Sequence, residues 1–159
     1  MRYQKTVKVL FAVAALLCSV VVNSAVAYAK ESKMAEGSVF LSAAKAAKME
    51  KGTRQISYDQ FIQIRNSGEK YILLDVLAKD SYDSGHIPGS QSFPLTDIDK
   101  KSAQARLSKS DHIIVYCGSF QCTASTAAAK DLSKLGYDVL DYKGGLKDWQ
   151  DKGNSLVKN

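Results

Sequence analysis

The stretch that most constrains this chain runs from His112 to Ala129. It opens with Ile113-Ile114-Val115-Tyr116, a β-branched and aromatic run that reads as a buried strand. It closes on Thr123 to Leu135, an alanine-rich segment of good helix formers, with Gly136 placed to end it. Between them Cys117 to Cys122 form a tight loop. A loop passed from a strand end onto a helix N-terminus presents unpaired N–H groups and the positive end of the helix dipole, and so favours an anion. A thiol placed there is expected to ionise more readily than a free cysteine, and the thiolate is the nucleophile. Cys117 is therefore the candidate catalytic residue. The alternative is that it only closes the strand as a small buried hydrophobe.

The first residues belong to another kind of segment. Arg2, Lys5 and Lys8 precede an uncharged apolar run from Val9 to Val22, and Ala25-Val26-Ala27-Tyr28-Ala29 carries the A-x-A pattern twice. Residues 1–29 thus read as a secretory signal peptide, cleaved after Ala29 or Ala27. The rival reading is an uncleaved membrane anchor, since the apolar run falls only a little short of a spanning helix. Cleavage predicts an exported protein, in a bacterium a periplasmic one, with no stable membrane insertion afterwards. Losing the three basic residues of the leader lowers the net charge of +6 to +3. No basic block interleaved with aromatics remains, so nucleic acid is not an expected partner. Cys18 leaves with the leader, and Cys117 and Cys122 are what the mature chain keeps. Two cysteines with His86 and His112 lack the spacing of a zinc site, so neither a metal nor another cofactor is expected.

Residues 30–52 read as a linker or a short solvated helix, with Ser42 to Lys51 at helical spacing and Gly52 ending it. From Gln55 onward strand and helix patterns alternate at short intervals. Ser57-Tyr58-Asp59-Gln60 is a capping box ahead of Phe61, Ile62 and Ile64. Tyr71 to Val76 is a near-continuous apolar run, as in a strand covered on both faces. Pro88-Gly89 suits a type II turn, Ser92-Phe93 a short strand, and Asp97 to Leu107 a helix. Val139 to Tyr142 reads as another strand, and Leu146 to Asp151 as a last helix holding Trp149. This alternation predicts an α/β fold, a mostly parallel central sheet with helices on both faces. Ligands of such sheets bind outside the carboxyl ends of the strands, where Cys117 falls.

Several separated segments resemble the rhodanese-like (sulfurtransferase) domain family. They are Leu74-Asp75-Val76, Tyr82 with Gly85-His86-Ile87-Pro88-Gly89-Ser90, Phe93-Pro94-Leu95, Val115-Tyr116-Cys117, and Tyr142-Lys143-Gly144-Gly145-Leu146 with Trp149. The resemblance covers residues 53–153 and leaves 154–159 as a tail. It implies a rhodanese-like domain whose Cys117 carries sulfur as a persulfide, taken from a small donor such as thiosulfate or polysulfide and passed to a thiol acceptor. A persulfide is anionic near neutral pH, and inward-pointing amides would stabilise it. Gly118, Ser119, Phe120, Gln121, Cys122 and Thr123 form the expected persulfide-binding loop, with Thr123 adding a hydroxyl. The loop is one residue shorter than in the related cysteine phosphatases, so phosphate is poorly accommodated.

The departures from the family pattern also bear on function. Cys122 stands at the loop's last position, often Arg in the family, and Phe120 at a commonly small one. Without that Arg the loop loses a fixed charge for thiosulfate or phosphate. Leu77 likewise replaces the family's usual Arg two residues after Asp75. Lys143 reads as a solvated lysine that could lend charge, while Asp75 and His86 read as scaffold residues. Curling of the loop brings its ends together, so Cys122 is a possible resolving thiol for Cys117; the competing reading is that it fills the space of an Arg. A thiol–disulfide redox protein using both cysteines, and a catalytically silent binding module, stay open as alternative functions.

Overall fold

The computed structural model describes residues 39–50 and 53–159. The expected signal peptide of residues 1–29, the first part of the expected linker and residues 51–52 lie outside the described residues. The elements in chain order are α1 (Val39–Ala46), β1 (Lys48–Glu50), β2 (Thr53–Ile56), α2 (Tyr58–Asn66), β3 (Ile72–Asp75), α3 (Lys79–Ser84), β4 (Gln91–Ser92), a 3-10 turn (Leu95–Asp97), α4 (Lys100–Arg106), β5 (His112–Tyr116), α5 (Ala124–Lys134), β6 (Asp138–Tyr142) and α6 (Gly145–Asp151). The strands form one sheet in the order β1-β2-β6-β5-β3-β4. Five strands, β2 to β6, run parallel, and β1 adds an antiparallel edge through pairs such as Lys48 with Gln55. The α/β architecture is the one the alternating pattern predicts.

Strand alternation sorts the core into two layers. From β5, Ile114 and Tyr116 face one side, with Phe61, Ile64, Leu140, Tyr142 and Trp149. Ile113, Val115 and Cys117 face the other, with Leu74, Phe93, Ala128, Leu132 and Val139. On the first side Phe61 of α2 stacks on Tyr142 with ring centroids 4.9 Å apart. On the second, the small Ala128 and Ala129 let α5 lie close against the sheet. The central strands β5 and β6 are therefore buried on both faces, which suits their near-continuous apolar sequences.

Local signals account for most boundaries. Ser57 caps α2 in a full capping box with Gln60. Gly89 has φ +85°, and the Ser90 amide donates to the Ile87 carbonyl (3.0 Å), completing the turn at Pro88-Gly89. Gly136 ends α5 with φ +86°.

Three segments differ from expectation. The expected helix from Ser42 begins at Val39 and ends at Ala46, because the Glu69 carboxylate accepts from the Val39 and Phe40 amides, both at 2.8 Å. That helix is not a solvated tether: Phe40 is buried and stacks on His112 with ring centroids 4.1 Å apart. The helix expected over Asp97 to Leu107 divides into a 3-10 turn and α4, whose own cap is Asp99. The strand expected at Ser92-Phe93 is a two-residue pairing, Gln91 and Ser92, beside β3.

Candidate functional site

Cys117 follows the last residue of β5 and is fully buried. Its thiol donates to Ser125 Oγ at 3.3 Å, in the first turn of α5. Cys122, at the far end of the loop, packs against the apolar cluster that holds Cys117. Both cysteines are free thiols. Cys122 is half-buried, and Thr123, which precedes α5, makes no capping bond through its side chain.

The loop is held from below by α6. The Leu146 amide donates to the Cys117 carbonyl (3.0 Å) and the Lys147 amide to the Gly118 carbonyl (2.9 Å). Such an approach is possible because residue 145 is Gly: a Cβ there would lie 2.1 Å from the Cys117 carbonyl oxygen, and its φ is +61°. Lys143 Nζ donates to the Cys122 carbonyl, so the lysine expected to be solvated instead fastens the loop.

The electrostatics differ from expectation in one important respect. Burial pushes the Cys117 thiol up, and its bond to Cys122 pushes the same way against the Ser125 hydroxyl and amide. Burial raises Cys122 too, but this is outweighed by the Cys117 thiol, the Gly118 and Ala124 amides and the charge of Lys143, which hold Cys122 below an ordinary thiol. The more acidic thiol is therefore Cys122, not Cys117. The reason lies in the amides. Those of Gly118 and Ala124 reach the Cys122 sulfur and that of Ser125 reaches Cys117, while the Cys122 amide closes a turn on the Ser119 carbonyl (3.0 Å). Residues 118–123 do not all aim inward, and Ala124 and Ser125 join the set.

Ser125 and Asp141 are site neighbours that sequence reasoning missed. Asp141 is fully buried on β6, next to Val115 of β5, and Thr126 Oγ1 donates to its Oδ2 at 2.9 Å. Burial raises its carboxyl above the usual range, against hydrogen bonds from Ser125 and Thr126. Ser125 thus meets the Cys117 thiol while its neighbour Thr126 holds the Asp141 carboxylate. The signal available was the Ala-Ser-Thr sequence at the helix start, where polar residues face the strand end.

Asp75 and His86 lie apart from the thiols. Asp75 accepts from the Leu77 amide at 2.9 Å, and the His86 ring stacks on Tyr82 while its Nδ1 meets the Tyr82 carbonyl at 2.8 Å. Beside the loop, a groove of about 340 Å³ is lined by Lys48, Gln55, Ile56, Gln60, Phe120 and Lys143. Phe120, 60% exposed, forms part of its wall. A hollow of similar size, about 350 Å³, opens by Ile72 and His112, where the strands begin, and holds neither cysteine. Among the described residues no cluster of His, Cys, Asp and Glu could hold a metal ion.

The sequence profile of the rhodanese-like domain matches residues 57–152, from the cap of α2 through α6. The chain belongs to the rhodanese-like domain family. Among its rhodanese-like relatives, the Bacillus subtilis protein YrkF, named as a candidate sulfur carrier, is 32% identical over 99 residues, 62% of this chain and 51% of YrkF. The Escherichia coli thiosulfate sulfurtransferase PspE is 33% identical over 75 residues, 47% of this chain and 70% of PspE. The chain thus spans about half the length of YrkF. Among solved structures, the Bacillus halodurans protein BH2092 superposes with a TM-score of 0.60 at 30% identity, over 65% of this chain and 76% of that one. The rhodanese-like domain of the Anabaena protein Alr3790 gives 0.58 at 26%, over 66% and 79%.

Proposed function

We propose that the chain is an exported sulfurtransferase or sulfur carrier that forms a persulfide on Cys117. What carries this reading is the position of Cys117: the end of the central strand, in the rhodanese-like loop, with its thiol donating to Ser125. Cys117 gives up its proton to water, and its Sγ attacks the outer sulfur of thiosulfate or a polysulfide. The donor's S–S bond breaks, and sulfite or the shortened polysulfide leaves with the electron pair. Ser125 then turns its hydroxyl toward Cys117, adding to its amide. A thiol acceptor attacks the outer persulfide sulfur and returns Cys117 as the leaving thiolate. The groove between Phe120 and Lys143 suits an acceptor with an apolar body and an anionic group. The names of PspE and YrkF agree with such chemistry.

The test is intact mass spectrometry of the chain after thiosulfate or polysulfide, with thiocyanate formation from cyanide as the turnover assay. Cys117→Ser is expected to lose both the added sulfur and the thiocyanate. Full turnover by this variant overturns the assignment. A second reading, a thiol–disulfide redox protein, is favoured by two free thiols at the ends of one loop, Cys122 packing against the cluster that holds Cys117; a measured dithiol reduction potential with no sulfur uptake selects it. Sulfur uptake and dithiol chemistry both absent select a silent binding module.

Export is part of the same proposal. N-terminal sequencing of the secreted form is expected to begin at Lys30, or at Tyr28 after cleavage at the earlier site. Among the described residues no helix is long and apolar enough to cross a membrane. An intact Met1 chain held in the membrane overturns export by cleavage.

A further inference from the structure

We propose that Cys122 is a resolving thiol, which attacks Sγ of a persulfidated Cys117, expels the outer sulfur as sulfide and leaves a Cys117–Cys122 disulfide. The inference rests on the Cys117 persulfide of the preceding reading and adds an activity to it, the reductive release of sulfane sulfur.

The geometry supplies the encounter. The loop curls through the Cys122 amide's bond to the Ser119 carbonyl (3.0 Å), and the half-buried Cys122 packs against the apolar cluster that holds Cys117, so the two side chains interact across the loop. The loop also prepares the attacking group. The Gly118 and Ala124 amides donate to the Cys122 sulfur, and Lys143, bonded to the Cys122 carbonyl, sets a positive charge beside it. These contacts lower the Cys122 thiol and so favour the thiolate, the form that attacks. Access favours the same assignment. Cys117 is 0% exposed, whereas the half-buried Cys122 can give its proton to water and meet an outside reductant.

The step balances. A Cys117 persulfide and a Cys122 thiolate give the disulfide and hydrosulfide: one S–S bond breaks as another forms, the sulfane sulfur gains two electrons, and the two cysteine sulfurs supply them. An external dithiol reduces the disulfide, leaves as its own disulfide, and returns both thiols. Without it the chain stops after one release.

The experiment loads wild type, Cys122→Ser and Cys122→Ala with polysulfide, removes the excess, and follows sulfide release and intact mass without reductant. Thermal melts read by Trp149 fluorescence establish that the variants are folded. Wild type is expected to release one equivalent of sulfide and to end as a disulfide that peptide mapping assigns to Cys117 and Cys122. Both variants are expected to keep the persulfide at least roughly tenfold longer, because an intramolecular nucleophile has been removed. Uptake by all three proteins with equal persulfide lifetimes and free thiols overturns this inference alone. Added sulfur that maps to Cys122 in wild type overturns it as well. Failure of wild type to take up sulfur overturns the Cys117 carrier reading, and this one with it; uptake by wild type but by neither variant assigns Cys122 to loading and overturns its resolving role.

Discussion

The Ser125 hydroxyl lies 3.3 Å from the Sγ of Cys117, and the next residue, Thr126, donates to the buried Asp141 at 2.9 Å. One turn of α5 thus connects the thiol at the end of β5 to a carboxylate on the neighbouring strand. The hydroxyl and amide of Ser125 both pull the Cys117 thiol down against its burial. Ser125→Ala removes one of the two, so the thiol is expected to ionise at higher pH. One hydrogen bond contributes about 1 kcal/mol, which corresponds to a roughly fivefold slower alkylation of Cys117 at neutral pH. The pH profile of iodoacetamide labelling in a Cys122→Ser background reads this directly. A profile that does not move shows that the hydroxyl plays no part in the ionisation.

Lys143 acts on the other thiol. Its charge lowers Cys122, and its ammonium holds the Cys122 carbonyl. Lys143→Gln is expected to raise the Cys122 thiol and slow any reaction that begins from its thiolate, while Lys143→Arg keeps most of the effect. Labelling of Cys122 across a pH series in Cys117→Ser separates the two variants. Equal profiles for Gln and Arg would remove the charge from the account.

Gly145 is the test of loop support. An added Cβ meets the Cys117 carbonyl oxygen at 2.1 Å, and the left-handed backbone alone costs a non-glycine residue roughly 1–2 kcal/mol. Gly145→Ala is expected to lower the melting temperature and to suppress sulfur uptake by displacing the Cys117 carbonyl. Gly68→Ala serves as control. It has a similar φ of +80° but open space around the added Cβ, and is expected to lose stability without losing uptake. If both variants take up sulfur equally well, contact between α6 and the loop is not what holds Cys117 in place.

The two buried carboxyls predict an opposite trend from ordinary acid denaturation. Burial raises both Asp75 and Asp141 above 3.8, so the folded chain keeps their protons to higher pH than the unfolded chain does. Stability from this source is greatest below the unfolded value and is lost as pH rises through the raised one. Asp141→Asn leaves Thr126 an oxygen to donate to and cannot ionise. The variant is therefore expected to gain on wild type as pH climbs from about 4 toward neutrality. Urea midpoints of both proteins across that range measure the difference, and a difference that is flat with pH contradicts it.

Much of the architecture was legible where the signal is local. The runs of β3, β5 and β6, the capping box at Ser57 and the turn at Gly89 each carry their instruction within a few residues. The start of α1 was not, because its cap is Glu69, thirty residues downstream. Nor was α3, a single polar turn that buries Tyr82. At the site, the sequence placed Cys117, Cys122 and their loop together but expected a Cys117 thiol lowered below a free cysteine, where burial raises it and Cys122 is the one lowered. That order depends on which amides turn inward and on how completely Cys117 leaves water, and neither has a residue pattern. Lys143 was misread for the same reason: its partner is a backbone carbonyl twenty-one residues away.

The seating of the Cys117 loop on α6 has a consequence for the order in which the molecule is made. The carbonyls of Cys117 and Gly118 wait for the amides of Leu146 and Lys147, which follow them along the chain. A chain that emerges from its N-terminus therefore presents both cysteines before the support beneath them has arrived. During that interval they behave as two plain thiols on a flexible segment, open to any oxidant they meet. The reactive arrangement comes into being late, when residues 145–147 close beneath the loop, so sulfur chemistry is postponed until the domain is nearly complete.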